Sequence, residues 1–238
     1  MHSIQQNIEQ VTNQIRNAEH KCGRAAKSVQ LLAVSKTKPN HAIEEAIEAG
    51  QFTFGENYVQ EGVDKVKYFS QHAKKSQLEW HFIGPIQSNK TRSVAEHFDW
   101  VHTIDRAKTA QRLNDQRPEA LEPLQVLIQV NTSGEATKSG SGDTEVFQLA
   151  ELIYSLPNLT LRGLMSIPAN VPDHASQLYA FNQLADLKQR LSERFPQLNL
   201  DTLSMGMSGD MEAAIEAGST MVRIGTAIFG ARDYSNKS

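Results

Sequence analysis

The chemistry in this chain begins at Lys36, which follows the apolar run Leu31-Leu32-Ala33-Val34 with one serine between. A lysine at the end of a buried strand is partly withdrawn from water. Burial penalises the ammonium and favours a free amine, which can condense with an aldehyde. The plainer alternative is a lysine that reaches the rim or pairs with a carboxylate such as Glu56. Two glycine-bearing stretches lie near the other end, SMGMSGD (204–210) opening a helix and RIGTAIFG (223–230) following the last strand. Backbone N–H groups at a helix start attract a phosphate, and Ser208 adds a hydroxyl. Gly206, Gly209 and Gly225 permit close backbone approach. Ser208 could also serve only as a helix cap. Arg223 precedes Gly225 by two residues, so strand alternation turns both inward. A buried arginine needs a partner, either an inward carboxylate or an acceptor such as a pyridine nitrogen. Arginine keeps its proton, so such a nitrogen would stay unprotonated and the ring would be a modest electron sink. Lysine, phosphate cup and arginine together ask for a ligand that carries an aldehyde, a phosphate and a basic ring.

Positioning these groups requires strand ends that converge. Candidate strands fall at 29–35, 52–55, 79–83, 100–103, 124–130, 160–164, 200–203 and 221–224, with helical stretches around 40–49, 57–71, 87–97, 106–117, 143–155, 174–194 and 209–217. Strict alternation of this kind implies parallel strands with helical crossovers. Eight strands predict a TIM-type (β/α)8 barrel, whose ligands gather at the C-terminal ends of the strands. Residues 1–28 are predicted to form an extra N-terminal helix. In it Ile4, Ile8, Val11, Ile15, Ala18 and Cys22 make one apolar stripe, packed on the body as a lid rather than offered to a partner. The segment Ala46–Gly50 recurs as Ala214–Gly218, each ending a helix on a glycine that suits a left-handed conformation. No linker divides residues 1–238, so one domain is expected, with 134–142 as a barrel loop.

Composition narrows the function. A net charge of −3 provides no field for nucleic acid, and no apolar run approaches a membrane span. The single Cys22 and the polar N-terminus point to the cytoplasm. The eight histidines show no metal-binding spacing. His81 is the one expected near the pocket, in a structural role.

The motifs AVSKTKP (33–39), FGENYVQE (54–61), WHFIGPIQSNK (80–90), KSG (138–140), GLMSIPA (163–169), SMGMS (204–208) and VRIGTAIFG (222–230) run through nearly the whole chain. In these the chain resembles the pyridoxal phosphate homeostasis proteins, barrel-only relatives of alanine racemase. The resemblance implies a fold-type III barrel without the β-domain of the racemases. It implies pyridoxal 5′-phosphate (PLP) as a Schiff base on Lys36, with Ser208, Gly225 and Thr226 on the phosphate, Arg223 facing the pyridine nitrogen and Asn57 lining the pocket. It also implies a carrier that buffers PLP, supports amino-acid and keto-acid balance, and delivers the cofactor to apo-enzymes. The rival reading is a fold-type III enzyme such as an amino-acid racemase. Racemisation needs an acid/base on each face of the substrate carbon. Lys36 could serve one face; of the five tyrosines only Tyr58 lies near a strand end, so turnover is not expected. Loss of the β-domain removes the dimer contacts of the racemases and predicts a monomer. Lys138, in the 134–142 loop, could relay the aldehyde from Lys36, although a solvated loop lysine is the simpler reading.

Overall fold

The short apolar runs become strands because each is buried on both faces, by the barrel interior and by a covering helix. The computed structural model describes residues 2–134 and 140–231. Its strands are β1 (Gln30–Val34), β2 (Thr53–Glu56), β3 (Glu79–Phe82), β4 (Trp100–Ile104), β5 (Leu124–Gln129), β6 (Leu159–Met165), β7 (Thr202–Ser204) and β8 (Met221–Ile224). All pair in parallel in chain order, and β8 closes on β1 in the register Leu32↔Arg223. The helices are α1 (Ile4–Lys21), α2 (Asn40–Glu48), α3 (Val59–Phe69), α4 (Thr91–His97), α5 (Ala107–Gln116), α6 (Asp143–Tyr154), α7 (His174–Arg194), α8 (Met211–Glu216) and α9 (Thr226–Phe229). The expected (β/α)8 barrel with an added N-terminal helix is the observed fold. The short α9, after β8, was not anticipated.

The N-terminal helix is shorter than the predicted 1–28. Ser3 and Gln6 cap its start reciprocally. The N–H groups of Cys22 and Gly23 return to Ala18 and His20, and Gly23 at φ +70° ends it. The following residues fold back over buried Glu19, which accepts from the N–H groups of Lys27 and Val29 and from Arg16. Burial pushes the Glu19 carboxyl up, and these bonds outweigh it, holding the group below the usual carboxylate range. Ile8, Val11, Ile15 and Ala18 are buried, and α1 packs on α2, α8 and α9. The stripe is a lid on the body.

The repeated Ala-Ile-Glu-Ala-Gly segments behave alike. Each ends its helix on a glycine, Gly50 at φ +90° and Gly218 at φ +110°. The main apolar core lies between the strands and the surrounding helices. Two smaller apolar groups lie apart from it, Leu32, Val34, Ile83 and Met221 in one and Trp100, Leu127 and Met165 in the other. Arg223 and Met221 alternate to the same side of β8, so the interior combines apolar and polar side chains.

Gly163 marks a slip in register between β5 and β6, where Val126 faces Leu161 but Leu127 faces Gly163. Its φ is +153°, and an added Cβ would lie 1.8 Å from the Thr202 carbonyl oxygen. Gly163→Ala should therefore cost about 1–3 kcal/mol or more. Thermal melting should show Tm lower by several degrees. An unchanged Tm would contradict this close approach of β6 to β7.

Candidate functional site

A cavity of about 540 Å³ opens at the C-terminal ends of the strands. Lys36, Asn57, Ser208, Arg223, Gly225 and Thr226 all line it, so the structure brings together every site residue expected from sequence. Ile83, Ile167 and Asp210 also line it and were not anticipated.

Lys36 follows β1 in a tight turn that its neighbours clamp. Lys38 N–H donates to the Ser35 carbonyl at 3.1 Å, and Thr37, at the unusual φ of +64°, donates its N–H to Glu61 Oε1 at 2.6 Å. Lys38 Nζ donates to the carbonyls of Gly230 and Ala231 at 3.0 and 2.8 Å, tying the turn to the chain after β8. Beneath it, Lys65 Nζ donates to Ser35 O, Glu56 Oε1 and Glu61 Oε1 at 2.7, 2.7 and 2.6 Å. The Ser35 hydroxyl donates to the same Glu56 oxygen at 2.6 Å. Glu56 is thus the partner of Lys65, from α3, and of Ser35, immediately after β1. Burial nonetheless pushes its carboxyl above the usual range, with Lys65 and Ser35 opposing. This clamp holds Lys36 at the cavity wall.

The opposite wall is backbone and small groups. Gly225 is the residue before α9, whose first N–H groups have no acceptor within the helix. A Cβ on Gly225 would approach the Val34 carbonyl to 3.2 Å, so the glycine keeps β8 close to β1. Met207–Asp210 forms a turn in which Asp210 N–H donates to Met207 O, and Met207 N–H donates back to Asp210 Oδ1 at 2.7 Å. Burial pushes the Asp210 carboxyl up. Ser208 is exposed at the mouth.

Arg223 is buried at the cavity floor. Its Nη1 donates to Ser204 Oγ at 2.7 Å and its Nη2 to Ser166 O at 3.0 Å. Burial lowers its pKa to about 10, with Asp210 opposing, so it is a cation at neutral pH. Two of its five N–H donors are engaged in these bonds. Asn57 Oδ1 and Ser166 Oγ are buried without a hydrogen-bond partner among the described residues. Of the two, Asn57 lines the cavity, where its acceptor is open to a bound group.

Other expectations meet different outcomes. His81 does not line the cavity; it is buried in the barrel with His102, which the sequence reading missed. Tyr58 is 51% exposed, immediately before α3. Lys138 lies outside the described residues. Among those residues, no group of three His, Cys, Asp or Glu side chains could hold a metal, and no helix is long and apolar enough to cross a membrane.

Barrel and cavity together define a protein of the alanine racemase N-terminal-domain class, and the model of that domain matches residues 6–233. The chain is 74% identical over 235 residues to the pyridoxal phosphate homeostasis protein of Vibrio alginolyticus, covering 99% of this chain and 100% of that one. It is 59% identical over 237 residues to the protein of that name in Escherichia coli (strain K12), with 100% of each chain covered. The chain belongs to the pyridoxal phosphate homeostasis protein family. Among solved structures, PipY of Synechococcus elongatus PCC7942 with PLP bound matches with a TM-score of 0.83 and 34% identity, covering 96% of this chain and 100% of that one. Alanine racemase of Corynebacterium glutamicum shares the fold alone, at a TM-score of 0.66 and 16% identity over 96% of this chain and 62% of that one.

Proposed function

We propose that the cavity holds PLP through a covalent imine to Lys36 Nζ, and that the protein carries and buffers the cofactor without turning a substrate over. The observation that supports this most directly is the convergence of six chemically matched residues on one cavity of ligand-binding size. Ser208, Thr226 and the backbone at Gly225 would hold the phosphate. Asn57 would supply the acceptor now without a partner, and Arg223 would donate to the ring nitrogen. PLP, when bound, supplies an aldehyde carbon and an electron-withdrawing ring; a cationic Arg223 leaves that ring a restrained electron sink. Relatives at 59–74% identity are named homeostasis proteins.

Proton transfer on two faces of a substrate is poorly provided for. Besides Lys36, the titratable groups lining the cavity are Asp210, which accepts the Met207 N–H, and Arg223, already bonded to Ser204 and Ser166. Apo-forms of PLP-dependent enzymes are the recipients this reading implies, with a monomeric carrier in the cytoplasm and residues 1–238 acting as one unit.

The purified protein mixed with PLP should turn yellow, and borohydride should fix the cofactor on the peptide that contains Lys36. Holo-protein incubated with L-alanine in deuterated water should leave the α-proton unexchanged over hours. A colourless protein sinks the binding proposal. Rapid α-exchange sinks the carrier reading in favour of a racemase.

A further inference from the structure

Inside the barrel, below Arg223, polar side chains from three further strands form an unbroken row. Glu79 Oε1 lies 2.7 Å from His81 Nε2, and His81 Nδ1 lies 2.8 Å from His102 Nε2. His102 Nδ1 lies 2.9 Å from Ser204 Oγ, to which Arg223 Nη1 donates at 2.7 Å. His81, His102, Ser204 and Arg223 are all buried. The Trp100 ring stacks on His81 at 5.1 Å, and Arg162, paired to Asp201, lies over the Trp100 ring at 4.8 Å. Asp210 is the acidic group acting on Arg223 from the cavity side.

The fixed ends of the row orient its protons. Arginine can only donate and an ionised carboxylate can only accept, so the two ends of the row have opposite, fixed roles. Burial pushes Glu79 up, but the His81 bond and the nearby charges outweigh it and hold the carboxyl below its usual range. Burial above all, with the cation of Arg223 adding to it, pushes His102 well below the usual histidine range, so it is neutral. His81 Nε2 donates to the Glu79 carboxylate, and Arg223 fills one lone pair of Ser204, which leaves the Ser204 hydroxyl proton for His102 Nδ1; His102, with a single proton, carries it on Nε2 and donates it to His81 Nδ1. The direction is then Arg223 to Ser204 to His102 to His81 to Glu79. The Ser204 proton is committed to His102, which leaves its lone pairs to Arg223.

We infer that Glu79, His81, His102 and Ser204 are positioning residues, forming a directed relay that fixes Ser204 as an acceptor and so sets how the Arg223 guanidinium faces the cavity. The consequence for the cofactor rests on the PLP reading above; the relay itself does not.

The relay is tested first in cofactor-free protein, by nitrogen-15 NMR of labelled histidines between pH 6 and 8. His102 should carry a single proton, on Nε2, and His81 Nδ1 should carry none. A proton on His102 Nδ1, or a doubly protonated His102, overturns the assignment. PLP affinity is then measured by equilibrium dialysis. Ser204→Ala and His102→Leu should each weaken binding about tenfold, and the double variant about tenfold as well, because one chain is cut. Ser204→Thr should bind like the parent. Losses that multiply in the double variant, or parental affinity in Ser204→Ala, overturn the positioning role. Failure of the parent to bind PLP would sink the cofactor reading alone, leaving the NMR result to judge the relay.

Discussion

Lys36→Ala protein is expected to stay colourless with PLP and to yield no borohydride-fixed peptide. Its remaining affinity should come from the phosphate and ring contacts, weakened on the order of 100-fold, which corresponds to about 2.7 kcal/mol. The fold should survive the change. Lys36 is half-buried at the rim, and whatever its own side chain contributes, its turn is also clamped by bonds of Ser35, Thr37, Lys38, Glu56, Glu61 and Lys65. A substitution of that kind shifts stability by about 0.5 kcal/mol or less. Dialysis and thermal melting should therefore separate cleanly, with affinity collapsing and Tm of the cofactor-free protein unchanged. A borohydride-fixed adduct on another lysine in this variant would remove Lys36 from its proposed role.

The residues lining the cavity were legible in the sequence for a topological reason. In a parallel barrel the functional groups come immediately after the strands, and Lys36, Asn57, Ser208 and Gly225 each occupy such a place. What lay between the strands' ends was less legible. β4 is buried at all five positions, so its alternation is hidden and His102 does not announce that it points inward. Its partners His81 and Ser204 are 21 and 102 residues away, on other strands. Lys65 is similar. It lies on the buried side of α3 beside Gly62 and Phe69, where a lysine ought to prompt a search for a buried partner. That partner, Glu56, is supplied by another element, so local pattern alone does not reveal the pair. The overlong N-terminal helix has the opposite cause. Cys22 continues the apolar spacing by one more step, but Gly23 takes a left-handed conformation and the helix is already capped.

The clamp beneath Lys36 makes the largest prediction for stability. Lys65 is 6% exposed and Glu56 0% exposed as side chains, and they meet at 2.7 Å. Lys65→Met removes the cation and leaves the Glu56 carboxylate buried with only the Ser35 hydroxyl. Breaking a buried pair from one side costs about 3–5 kcal/mol. The cost should depend on pH in a definite sense. Burial already raises Glu56 above its ordinary value of 4.5, and loss of Lys65 should raise it further. Where the folded pKa exceeds the unfolded one, the folded state binds the extra proton, so stability falls as pH rises through the interval between the two. The variant should consequently be least stable above that interval and should recover relative to the parent as pH falls towards the ordinary glutamate range. Urea unfolding at pH 7 and pH 5 measures the difference. Glu56→Gln in the Lys65→Met background should restore part of the loss, because the uncompensated charge is gone. A loss at pH 7 below about 1 kcal/mol, or one that grows on acidification, would refute the account of the pair. The same variant frees Ser35 O and Glu61, which hold the turn around Lys36, so PLP affinity should fall even where the protein remains folded.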